Sequence, residues 1–196
     1  MQADLTEIAY VLDRSGSMQS IASDAIGGFN SFLESQQQVP GRANFTLVLF
    51  DHEYQVVHQS VDIHQVPPLD NQTYQPRGTT ALLDAIGRTI DDLGARLAAM
   101  PETERPSKVI VAILTDGLEN ASRDYTYLKI SAMIQHQREK YSWEFIFAAA
   151  NQDAFATAAK IAIPKKDAMN FAASPQGVRS AQHQLNEEIA YRRKQQ

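Results

Sequence analysis

The feature that most limits what this chain can fold into is its alternation. Short apolar runs are separated by longer stretches whose apolar residues recur every three or four positions. Residues 8–12, 45–50, 55–61, 109–114, 143–150 and 169–172 read as strands from their apolar, β-branched and aromatic content. Helical spacing runs from Met18 through Ile21, Ala25, Phe29 and Leu33, and again from Leu82 through Ile86, Ile90, Leu93 and Leu97, stopping before Pro101. A third helix is expected over 126–140 and a short one over 153–161. The last helix, over 174–196, opens on Ser174 as N-cap and Pro175 at the first helical position. Its stripe of Val178, Ala181, Leu185 and Ile189 predicts a helix fixed by packing.

Only the second and third strands lack a helix between them; they flank Asp51-His52-Glu53 and predict a hairpin. The run at 109–114 is continuously apolar, as in a strand covered on both faces. The fold class is therefore α/β: a doubly wound, mostly parallel six-stranded sheet with one antiparallel strand and helices on both faces. Right-handed crossovers make 3-2-1-4-5-6 the simplest strand order. At 196 residues and 43% hydrophobic, a single domain over 1–196 is expected.

Composition removes several functions. With no cysteine, there are no disulfides, zinc–thiolate sites or cysteine nucleophiles. No apolar run is long enough to span a membrane, and Met1-Gln2-Ala3-Asp4 lacks the pattern of a secretory signal, so a cytoplasmic location is expected. A net charge of −5 gives no reason to expect nucleic acid or an anionic membrane as partner. The basic cluster Arg192-Arg193-Lys194 is expected to complement the dipole of the terminal helix. His52, His58 and His64 fall on or near the hairpin, away from the expected ligand edge, and His136 and His183 lie in helices without metal-ligand spacing.

Chemistry gathers at one end of the sheet. The first strand ends in Asp13-Arg14-Ser15-Gly16-Ser17, a carboxylate followed by two hydroxyls at alternate positions. The fourth ends in Thr115-Asp116-Gly117, and strand order makes these two strands neighbours at the topological switch point. A loop over 76–80 enters the second helix from the same edge with Thr79 and Thr80. The candidate shell is Asp13, Ser15, Ser17, Thr80 and Asp116, all hard oxygen donors suited to a Mg²⁺-like cation. Two carboxylates about 6 Å apart would repel by about 3 kcal/mol at an effective dielectric near 20. A bound divalent cation removes that cost; a raised carboxyl pKa is the other escape. Taken singly, Asp116-Gly117 is an ordinary turn and Thr79-Thr80 an ordinary helix cap. Arg14 and Arg77 flank the cluster; they are expected to be solvated, or else to favour an anion there.

These positions resemble the metal-ion-dependent adhesion site (MIDAS) of von Willebrand factor A (VWA) domains. The Asp-x-Ser-x-Ser motif is met by Asp13, Ser15 and Ser17, with Met18 following, and the Thr-Asp-Gly motif by Thr115-Asp116-Gly117. The middle threonine is selected by Ala85-Ile86, which stand five and six places after Thr80; Thr79 is the alternative. The chain is most similar to stand-alone bacterial members. The resemblance implies binding without catalysis: Mg²⁺ or Mn²⁺ ahead of Ca²⁺, and an open coordination position for an Asp or Glu of a partner protein. It further implies settings such as AAA-type ATPases or stress-response proteins for that partner.

Two rivals stand beside this reading. A Mg²⁺-dependent phosphatase or phosphotransferase of the haloacid dehalogenase type would also place an Asp at the end of strand one. It needs a second acid two residues on, where this chain has Ser15. The other rival is an interaction scaffold that needs no metal. Phosphate-binding glycine loops are absent.

Overall fold

The computed structural model describes residues 1–150 and 154–195. Strands β1 (Gln2–Asp13), β2 (Arg42–Phe50), β3 (Tyr54–Asp62), β4 (Pro106–Thr115), β5 (Glu144–Ala150) and β6 (Ala168–Phe171) form one sheet. Its order is β3-β2-β1-β4-β5-β6, with β2–β3 antiparallel and every other pairing parallel. Helices α1 (Ala22–Gln37), α2 (Leu82–Ala99), α3 (Tyr127–Tyr141), α4 (Ala154–Lys160) and α5 (Pro175–Lys194) cover both faces. The expected short helix at 153–161 thus appears from Ala154; Asp153 lies outside the described residues, as does Gln196 at the chain end. No described helix is long and apolar enough to cross a membrane.

The pleat of β1 divides the core. Ile8, Tyr10 and Leu12 face α1 and α5 with Phe29, Phe32, Phe45, Val178, Leu185 and Ile189. Ala9 and Val11 face the opposite layer with Ile86, Ile90, Ile130, Ile134, Trp143 and Phe147. Both faces are dry over residues 8–12 of β1 and 109–114 of β4, which is why those runs are apolar without alternation.

Three departures from the sequence reading have physical causes. β1 begins at Gln2 rather than at residue 8, because its first half is polar and one acid, Glu7, is fully buried. Glu7 accepts from Thr46 Oγ1 and Ser60 Oγ, each at 2.9 Å, and ion-pairs with Arg96 at 2.9 Å. Helical spacing from Met18 begins as a 3₁₀ turn over Gly16–Ile21, and α1 proper starts at Ala22. The basic end of α5 does not serve its own dipole in solvent. Arg192 is buried against Asp167 at 2.6 Å, Glu188 at 2.8 Å and Glu144 at 3.1 Å. Arg193 donates to the carbonyl of Gln36 in the last turn of α1 at 2.7 Å and to that of Gly41, just beyond it, at 3.0 Å. It is the C-terminus of α1 that receives the charge.

Candidate metal centre

β1 and β4 run side by side to Leu12 opposite Leu114 and stop together, so Asp13 and Thr115-Asp116 leave the sheet at the same edge. Asp13 is fully buried. Its Oδ1 accepts the backbone N–H of Ser15 at 2.6 Å, and its Oδ2 accepts the Thr115 hydroxyl at 2.5 Å. The Ser15 and Ser17 hydroxyls lie 3.1 Å apart, and Ser17 Oγ donates to Asp116 Oδ1 at 2.6 Å. Ser15 is buried while Ser17 stands at the exposed mouth.

The third loop arrives beside them. The backbone N–H of Gly16 donates to the Gly78 carbonyl at 3.2 Å, and that of Arg77 to the Arg14 carbonyl at 2.8 Å. Gly78 has φ +65°, in the left-handed region that suits glycine, and any side chain there would collide with the His52 ring. Thr80 is buried, and its N–H donates to Asn120 Oδ1 at 2.9 Å while its carbonyl accepts the Asn120 N–H at 3.0 Å. A Cβ added to Gly117 would sit 2.6 Å from Thr80 Oγ1 and 3.5 Å from Ser15 Oγ. The glycine therefore lets the Thr80 hydroxyl approach the other two loops. Thr79 is exposed and faces an adjoining cleft. Neither threonine caps α2: its N-cap is Ala81, and the N–H of Leu83 is taken instead by Glu119 Oε2 at 2.9 Å. The structure thus brings Asp13, Ser15, Ser17, Thr80 and Asp116 together and leaves Thr79 outside.

The electrostatics are those of an uncompensated acid pair. Burial pushes the Asp13 carboxyl up to about 6, against the pull of its Thr115 and Ser15 hydrogen bonds, with Asp116 adding repulsion. Burial also raises Asp116, opposed by the Ser17 hydrogen bond. Among the described residues neither carboxylate has an ion-pair partner. No group of three or more acidic, histidine or cysteine side chains gathers among them either, so any cation held here would rest on two carboxylates completed by hydroxyls. That donor set fits a hard divalent ion.

The arginines are a correction to the sequence reading. Arg14 is buried rather than solvated, and Arg77 is half exposed, but both turn from the cluster to Asp51. Their Nε atoms reach Asp51 Oδ2 at 3.1 and 2.9 Å, and Arg77 pairs also with Glu53. His52 is a second correction, since it packs on the 76–80 loop at the rim instead of lying away from the ligand edge. Sequence reasoning missed three supports. Tyr74 donates its hydroxyl to the Asp13 carbonyl at 2.6 Å; a lone large aromatic in a polar loop was its signal. Asn120 and Glu119, which tie the β4–α3 loop to the start of α2, gave no signal beyond ordinary turn composition. Beside the cluster, Thr79, Asp84, Arg88, Asn120 and Arg123 line a cleft of about 620 Å³.

No family model and no curated protein matches the sequence. Solved structures do match. Proximal thread matrix protein 1 from the mussel byssus, with a zinc-occupied MIDAS motif, superposes with a TM-score of 0.65 at 17% identity over 96% of this chain and 46% of that one. Manganese-loaded TRAP protein of Plasmodium vivax gives 0.62 at 17% over 91% and 72%. The vWF domain of the type V pili tip protein Mfa5 from Porphyromonas gingivalis gives 0.64 at 12%, over 100% of this chain and 98% of that one. The chain thus spans under half of the mussel protein and nearly all of the Mfa5 domain. Identities this low speak to architecture alone, and that architecture, with its strand order and single antiparallel pair, is the von Willebrand factor A fold.

Proposed function

We propose that this chain is a divalent-cation-dependent protein-binding module. Asp13 and Asp116 supply charge, and Ser15, Ser17 and Thr80 complete the oxygen set, with Mg²⁺ or Mn²⁺ preferred to Ca²⁺. One observation carries the reading: two buried carboxylates share a hydroxyl-lined sheet edge with no ion-pair partner among the described residues, while both nearby arginines are committed elsewhere. A bound cation relieves the cost of two buried acids of one sign, which the raised Asp13 pKa otherwise relieves only by protonation. A bound divalent ion supplies the positive charge and an open position for a carboxylate. With two ligand carboxylates the ion is roughly neutralised, so an Asp or Glu of a partner protein is not strongly repelled. The neighbouring 620 Å³ cleft leaves room for the residues that flank it. Zinc in the mussel protein's MIDAS and manganese in TRAP support the metal assignment by likeness of fold.

Binding is favoured over catalysis by what surrounds Asp13. Its hydrogen-bond partners are Ser15, Thr115 and, on its carbonyl, Tyr74, whose hydroxyl is held well above its ordinary pKa by burial and by the Asp13 and Asp116 charges. None of these is a general acid or base near neutrality.

The test is recovery of protein partners from a source lysate by immobilised wild type and Asp13→Ala, in Mg²⁺ and in chelator. A partner retained by wild type in Mg²⁺ alone is expected. Equal recovery in all four arms would leave a metal-independent scaffold.

A further inference from the structure

Asp51 lies outside the five-residue cluster, yet it is as fully buried as Asp13. Two guanidiniums share its Oδ2, Arg14 at 3.1 Å and Arg77 at 2.9 Å, and its Oδ1 accepts the Glu53 N–H at 2.6 Å. Both arginines come from the cluster's own loops. Arg14 stands between Asp13 and Ser15, and Arg77 three places before Thr80. Additional acceptors hold them in the same direction, Gln55 for Arg14 and Glu53 for Arg77. Released, each guanidinium is a tethered cation on a loop that carries ligands of the cluster, whose two carboxylates have no ion pair among the described residues, and a tethered cation competes with an external one at no cost in association entropy.

We propose that Asp51 is a positioning residue that holds Arg14 and Arg77 away from Asp13 and Asp116, so that a divalent cation and not a side chain neutralises the pair. This rests on the cation reading above. It also explains the unequal sharing at Asp51: one carboxylate taking two arginines leaves the pair of acids across the loop with none.

Position 77 separates this role from a merely structural tie. Lysine keeps the charge but lacks the planar fork that reaches Asp51 and Glu53 together, whereas glutamine removes the charge. A structural tie ranks lysine above glutamine; sequestration ranks glutamine above lysine. Arg77 is half exposed, so both variants are expected to fold. The experiment is calorimetric titration with Mn²⁺ of wild type, R77Q, R77K, D51N, the D51N/R77Q double variant and D13A, with melting temperatures taken in chelator. R77Q should bind Mn²⁺ at least as tightly as wild type, and R77K and D51N about tenfold more weakly. The double variant should regain the part of the D51N loss that Arg77 causes, Arg14 remaining released, while being no more stable than D51N in chelator. R77K binding more tightly than R77Q overturns the proposal. So does a D51N that binds as wild type does, while a double variant as weak as D51N overturns the part assigned to Arg77. A wild type that binds no Mn²⁺, or a D13A that binds as well, overturns the cation reading and this proposal with it. A wild type that binds with a flat series at positions 51 and 77 overturns sequestration alone.

Discussion

Asp13 is the residue on which the account turns, and its position has a measurable cost. Its folded carboxyl titrates at about 6 against an ordinary 3.8, so the protonated form favours the metal-free fold. That contribution is fully present below about pH 4 and is lost as pH rises through about 6, a change of roughly 3 kcal/mol. Asp13→Asn removes the titration. In chelator, the stability of the Asn variant relative to wild type should therefore rise between pH 4.5 and pH 7, by roughly 2 kcal/mol in denaturant melts. A constant difference across that range would show that Asp13 is not titrating there. Thr80 and Thr79 offer a second comparison. Valine keeps the volume and deletes the hydroxyl. Thr80→Val should weaken Mn²⁺ binding by roughly tenfold or more, and Thr79→Val should leave it unchanged. The reverse order would assign the exposed threonine. The motif residues were legible because strand ends and helix starts are local signals. Asp51 was not, since nothing near it in sequence says that Arg14 and Arg77, 37 and 26 positions away, would converge on it.

Among the elements, α5 shows how a legible pattern can still be underread. Val178, Ala181, Leu185 and Ile189 announce a buried stripe, and three and four places beyond Ile189 come Arg192 and Arg193. The same spacing that buries the aliphatic residues therefore buries both arginines. Charge argued for solvent; periodicity argued for the interface, and periodicity won because acceptors were waiting. The α5-facing side of α1 ends in carbonyls that need donors, and Arg193 supplies them. Gln36 strengthens the joint by donating to the Asn186 carbonyl and side chain at 2.9 and 2.8 Å. Arg193→Ala should cost about 2–3 kcal/mol of unfolding free energy, because it strands buried acceptors as well as removing a charge-assisted bond. A loss below about 0.5 kcal/mol in urea melts would place those carbonyls in water. The polar first half of β1 is the converse case. Its strand character was hidden because Glu7 is buried by partners from β2, β3 and α2, none of them visible from the run itself.

At the scale of the whole molecule, strand order does the assembling. The order 3-2-1-4-5-6 followed from alternation and crossover handedness, and it makes β1 and β4 neighbours. Their ends then deliver Asp13 and Asp116 to one edge, and the loop entering α2 delivers Thr80. What the order alone does not supply is the locking of those loops to one another. That comes from backbone pairs such as Gly16 with Gly78 and Thr80 with Asn120, which depend on loop conformations rather than on element succession. The outcome is an acid pair with no ion-pair partner among the described residues, beside arginines paired with Asp51; on the proposed reading, a cation completes it. The most direct measurement is calorimetric titration of Mn²⁺ and Mg²⁺ into metal-free wild type and Asp13→Asn at pH 7.5. The account predicts saturable binding of one ion per chain in the wild type and none in the folded Asn variant. Equal binding by both, or none by the wild type, would contradict it.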